Sequence, residues 1–65
     1  MFYITATSRT DGKPYTISKA KTQVAAARQV ASYETGSNPY LVETRAAYHS
    51  FRVTRENYKA NGDVR

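Results

Sequence analysis

The chain has no cysteine and no tryptophan, three glycines, two prolines, one histidine and five carboxylates in 65 residues. Each scarcity removes a class of function. Without cysteine there is no disulfide and no thiolate metal site, and His49 alone is too few ligands for zinc. Gly12, Gly36 and Gly62 stand singly, so no glycine-rich loop can cradle a phosphate. Asp11, Glu34, Glu43, Glu56 and Asp63 recur on no common helical face, and no serine sits in a nucleophile-elbow pattern. A domain of this length hides only about 60% of the surface its unfolded chain exposes, which leaves little depth for a water-excluding pocket. The expectation is a protein that is not an enzyme and uses no cofactor and no metal.

Long apolar runs are missing as well. The opening Met1-Phe2-Tyr3-Ile4-Thr5-Ala6-Thr7 is broken by threonines and soon meets Arg9, unlike a secretory leader. Nothing approaches the roughly 20 apolar residues of a membrane helix. A soluble, cytoplasmic protein with no membrane partner is expected, built as a single domain over residues 1–65.

What is present is periodic. Phe2, Ile4 and Ala6 alternate with Tyr3, Thr5, Thr7 and Arg9, the pattern of a half-buried strand. Asp11-Gly12 tolerates the positive φ of a hairpin turn, and Tyr15 and Ile17 then alternate with Thr16 and Ser18. Pro14 belongs at the start or edge of that second strand, since it cannot donate a ladder hydrogen bond. From Thr22 to Glu34 the alanine, glutamine and arginine content favours a helix capped by Thr22, with Ala20, Val24, Ala27, Val30 and Ala31 on its inner side. Gly36 would supply a left-handed stop, and Ser37-Asn38-Pro39 a turn.

Tyr40, Val42, Thr44 and Ala46 alternate with Leu41, Glu43, Arg45 and Ala47, which reads as a third strand. After a loop at Tyr48-His49-Ser50, Phe51 and Val53 alternate with Arg52 and Thr54 in a fourth. The tail from 57 to 65 is expected to fray, with a further turn at Asn61-Gly62. The expected fold class is therefore α+β in two layers: one helix on a three- to four-stranded, mostly antiparallel sheet in the order β-β-α-β-β. Tyr15 and Tyr40 belong to its core. One helix covers one sheet face, so Tyr3, Thr5, Thr7, Thr16, Leu41, Glu43, Arg45, Arg52 and Thr54 should form an open face.

Charge is the strongest functional signal. The net charge is +5, and Arg9, Lys13, Lys19, Lys21 and Arg28 outnumber Asp11 in the first half, which suits an acidic partner. Lys19 and Lys21 precede the helix N-terminus, where the dipole disfavours cations by roughly 0.3 to 1 kcal/mol. A bound phosphate or carboxylate would resolve that mismatch, whereas solvated, salt-screened lysines would merely tolerate it. Tyr3, Arg45 and Arg52 would add an aromatic plane and two forks, as in nucleic-acid platforms and protein hot spots, although both residue types are also ordinary in strands. The candidate partner-binding residues are Tyr3, Arg9, Lys13, Lys19, Lys21, Arg45 and Arg52.

The Thr-capped helix after Phe2-Tyr3-Ile4-Thr5 and Tyr15-Thr16-Ile17-Ser18 resembles very small phage proteins that disable host machinery. One kind is the phage inhibitor of bacterial RNA polymerase. With Tyr40-Leu41-Val42-Glu43-Thr44-Arg45 after the helix, the chain also looks like type I anti-CRISPR proteins, which occupy the DNA-binding groove of a surveillance complex. The acidic helix of the polymerase inhibitor has no counterpart, because Thr22 to Tyr33 carries no carboxylate. The resemblance implies a non-enzymatic inhibitor acting in the host cytoplasm on a host protein or nucleoprotein complex. Direct DNA or RNA binding is the alternative, and a self-associating structural subunit a third; the chain would be a monomer or weak homodimer.

Overall fold

Strand β1 (Phe2–Ser8) runs down the middle of a three-stranded antiparallel sheet, flanked by β2 (Pro14–Ala20) and β3 (Tyr48–Thr54) in the order β2-β1-β3. This is seen in a computed structural model, which describes residues 1–58. Helices α1 (Gln23–Thr35) and α2 (Pro39–Ala47) lie between β2 and β3 in sequence, so the order is ββααβ. The α+β class is as expected, and the single helix is not.

The β1–β2 hairpin forms where Asp11-Gly12 places it. Gly12 has φ 72°, and the Ser8 N–H donates to the Lys13 carbonyl at 2.9 Å. Asp11 accepts from the Lys13 N–H at 2.9 Å and from the Tyr15 hydroxyl. The Tyr15 bond first, and the Lys13 N–H next, hold the Asp11 carboxyl below its ordinary pKa; the same Tyr15 bond raises the phenol. A depressed folded pKa contributes stability above the unfolded value and loses it as pH falls through the folded one. The stability advantage of wild type over Asp11→Asn should therefore be present at neutral pH and shrink below about pH 4, as read from urea midpoints across pH. An advantage that stays constant into acid would show that the carboxylate does not hold the turn.

Helix α1 starts as the sequence indicates: the Thr22 side chain accepts from the Ala25 N–H at 3.1 Å. Its buried face is different from the expected one. Ala26 and Tyr33 are buried, Ala25 and Val30 pack beside them, and Val24, Ala27 and Ala31 are exposed. Tyr33 decides the rotation, because its ring stacks on Phe51 with centroids 5.4 Å apart, burying far more apolar area than Val24 could. Gln29 then faces the sheet, where it accepts from Ser18 Oγ at 2.5 Å and donates to the Lys19 carbonyl at 3.2 Å.

The expected third strand over 40–47 is α2. Asn38 caps it by accepting from the Tyr40 N–H at 2.9 Å, and Pro39 occupies the first turn, where its missing N–H is harmless. Leu41 packs against the core, while Tyr40, expected inside, is 64% exposed. Gly36 does not adopt a left-handed stop; its φ is −65°. Glycine serves there for space, since a Cβ would collide with the Leu41 side chain and sit 2.6 Å from the Ser32 carbonyl.

Two bulges set which side chains face the helices. Between β1 and β2 the register skips Ile17, so Ser18 and Ala20 turn toward α1 opposite Ile4 and Phe2. Between β1 and β3 it shifts near Ser50, which has φ 57°; the expected 48–50 loop is instead the start of β3. The core is thin. Ile4, Ala6, Ala20, Ala26 and Tyr33 are the buried apolar residues described, with Phe2, Ile17, Val30, Leu41, Phe51 and Val53 around them.

Candidate functional site

The face of the sheet opposite the helices carries Tyr3, Thr5 and Thr7 from β1, Thr16 and Lys19 from β2, and His49, Arg52 and Thr54 from β3, as the registers require. It is not fully open. From Thr54 the chain turns across this face to the β2 edge, where the Tyr58 N–H donates to Thr16 Oγ1 at 2.7 Å and the Tyr58 carbonyl accepts from the Thr16 N–H. Thr5 beneath it is 0% exposed and shares a 2.7 Å hydrogen bond between hydroxyls with Thr54. Asn57 and Tyr58, expected to fray, are thus pinned; the rest of that tail, with the Asn61-Gly62 turn, lies outside the described residues.

This crossing divides the candidate residues. Tyr3 stands opposite Lys19, and Lys21 follows two residues on, so these three share the end where β1 begins and β2 finishes. Arg52 lies beyond the crossing, donating to Thr7 Oγ1 at 3.2 Å and to the Ser50 carbonyl at 2.7 Å. Arg9 and Lys13 are at the far, hairpin end. Arg9 is fastened to α2, its N–H bonding the Ala47 carbonyl at 2.9 Å and its side chain the Arg45 carbonyl at 3.0 Å.

Leu41, Glu43 and Arg45 are not on the sheet at all, because their segment is helical. Arg45 is half-buried and donates to the Tyr33 carbonyl at 2.7 Å, satisfying one of the carbonyls that the last turn of α1 leaves without an intrahelical donor. That bond ties α2 to the end of α1.

Two residues not singled out from sequence lie nearby. Arg55 follows Thr54 at the same sheet end as Tyr3 but on the helix side, where it lies over the Phe2 ring, 5.0 Å from its centroid. Asn57, brought by the crossing segment, joins Tyr3, Thr16, Ile17, Ser18 and Lys19 around a shallow cavity of about 290 Å³. Its Oδ1 is shielded from solvent and has no hydrogen-bond donor among the described residues. Arg55 carried a visible signal as part of the cationic excess; Asn57 carried none, since its place depends on the path of the chain after β3. The acidic residue nearest in sequence, Glu56, takes a 3.3 Å hydrogen bond from the Tyr58 hydroxyl.

A second depression, about 230 Å³, opens between the helices and is walled by Arg28, Gln29, Ser32, Tyr33 and Leu41. Burial, and then Tyr40 nearby, raise the Tyr33 phenol, so it stays neutral there. Among the described residues no group of three or more His, Cys, Asp or Glu is placed to hold a metal, and no helix is long and apolar enough to cross a membrane. No family model matches the chain, and neither a curated protein nor a solved structure does.

Proposed function

We propose that the chain is a non-enzymatic binding protein that docks the basic, tyrosine-bearing end of its sheet onto a nucleic-acid-handling complex and acts by occupying it. The observation that carries this reading is the grouping of Tyr3, Lys19 and Lys21 at one end of the sheet, with Lys19 and Lys21 exposed. The exposed part of the face offers hydroxyls and cations rather than large aliphatic side chains. Protein interfaces centre on desolvated apolar anchors, whereas phosphate chains are met by cations and hydroxyls. The face is therefore better matched to the nucleic acid of such a complex than to apolar protein surface. A phage inhibitor, the kind of protein the sequence resembles, would need no more than this.

Reversing Lys19→Glu with Lys21→Glu tests the assignment. Both side chains are exposed, and glutamates ahead of α1 suit the helix dipole, so thermal stability should not fall. On a random-sequence single-stranded oligonucleotide, the dependence of log affinity on log salt should flatten by about 1.4, from about 0.7 for each phosphate no longer neutralised. An unchanged slope would place the binding surface elsewhere.

A further inference from the structure

We propose that the cavity beside Tyr3 is a pocket for one unpaired nucleobase, so that the ligand is single-stranded nucleic acid held by base as well as by phosphate. This rests on the reading above and narrows it. Four features converge on the cavity, and each constrains the occupant separately.

Tyr3 on the central strand is half-buried, so its ring is held in place by the sheet while still lining the cavity. A fixed aromatic side chain of this kind takes a flat partner by stacking. Lys19 stands directly across the ladder from Tyr3 and lines the cavity, so an occupant with negative charge close to its flat part is favoured. Thr16 and Ser18 belong to the β2 wall; the Thr16 hydroxyl accepts from the Tyr58 N–H and the Ser18 hydroxyl donates to Gln29, so each keeps part of its hydrogen-bonding capacity. The Asn57 amide also lines the cavity, with its oxygen shielded from solvent and without a donor among the described residues. Half a turn about the terminal torsion exchanges its oxygen and nitrogen at almost no change in shape, so the amide can offer either atom to the cavity.

A carboxylate from an acidic protein would satisfy the cation and could accept from the Asn57 amide, but it brings no flat ring to stack on Tyr3. A nucleotide brings all the complements together: a flat ring for Tyr3, an edge with adjacent donor and acceptor for the amide, and a phosphate for Lys19. The cavity, about 290 Å³, is wide enough for one base and too shallow and one-sided for a duplex, whose bases are stacked and inaccessible. The base must therefore come from an unpaired strand.

The test uses fluorescence anisotropy with a labelled oligodeoxyadenylate and an abasic oligonucleotide of equal length. Wild-type protein should bind the abasic strand about 10-fold more weakly or worse, the scale expected for one stacked base. Tyr3→Leu keeps an apolar strand residue and should lose most of that difference while still binding both strands; Asn57→Ala should reduce it, with the circular dichroism spectrum unchanged in both. Equal wild-type affinity for the two strands, with a normal salt dependence, would overturn the base pocket and leave the cationic docking reading standing. Failure to bind either strand or immobilised heparin would overturn both. Displacement of the oligonucleotide by polyglutamate at equal charge concentration would also overturn the pocket, in favour of an acidic protein ligand.

Discussion

Ile4→Ala is expected to remove a large fraction of the protein's folding stability. Ile4 sits on the central strand at 0% exposure and is the large aliphatic side chain fully buried among the described residues; three of the other four buried apolar residues are alanines. Removing such a side chain costs about 2 to 5 kcal/mol, the transfer loss plus the cavity left behind. Total stability for a chain this short is of order 3 to 10 kcal/mol, at about 0.05 to 0.15 kcal/mol per residue. At mid-range values the substitution consumes about half of it. Urea unfolding followed by circular dichroism would show a lowered midpoint or an absent folded baseline, while Ile4→Val should cost only about 0.5 to 1.5 kcal/mol. A midpoint for Ile4→Ala close to wild type would mean that the core lies elsewhere.

Gly36→Ala should have the next largest effect, and for a reason opposite to the usual one. The backbone at Gly36 has φ −65°, open to any residue, so conformational strain is not the cause. The cause is crowding at the α1–α2 junction. A methyl group would overlap the Leu41 side chain and press on the Ser32 carbonyl, which already accepts from the Gly36 N–H at 2.7 Å. Something must move, and overpacking of this kind costs about 1 to 3 kcal/mol. Leu41 is part of the packing that holds α2 to the core, so the helix as a whole is displaced. Combining Gly36→Ala with Leu41→Ala should cost less than the sum of the two single changes, since the larger collision is removed. Strict additivity in that double-mutant cycle would show that the glycine is not there to admit Leu41.

The places where reading the sequence succeeded and failed have a common physical pattern. β1, the Asp11-Gly12 hairpin, the Thr22 cap and the Phe51 to Thr54 strand were legible because each is governed by near neighbours: alternation over seven residues, one positive φ, one side chain closing on the N–H three residues on. The 40–47 segment failed because eight residues can satisfy a period of two and a period near 3.6 together. Asn38 and Pro39 were decisive there, as cap and first-turn residue, and reading them only as a turn hid the helix. With that segment the placement of Arg45 on the sheet face fell too. On a strand Arg45 would face the partner; on α2 it faces the end of α1 and answers a carbonyl.

The candidate site was half legible for the same reason. Tyr3 was singled out from strand alternation and Lys19 from its place just before α1, both local signals; that the two stand opposite one another is seen only in the register. Arg55 and Asn57 were not singled out, because their position depends on the chain leaving β3 and crossing to Thr16, where Tyr58 meets a residue more than forty positions away in sequence.

By itself the sequence determined the α+β character, the ββ hairpin, the start of α1 and the excess of positive charge, all of which follow from local dihedral preferences and composition. The rotation of α1 about its axis, the helical state of 40–47, the two bulges and the covering of half the free face were decided only in the tertiary structure. There the burial of the Tyr33 ring and of Leu41, and the pairing of Tyr58 with Thr16, outweigh preferences that differ by less than about 1 kcal/mol per residue.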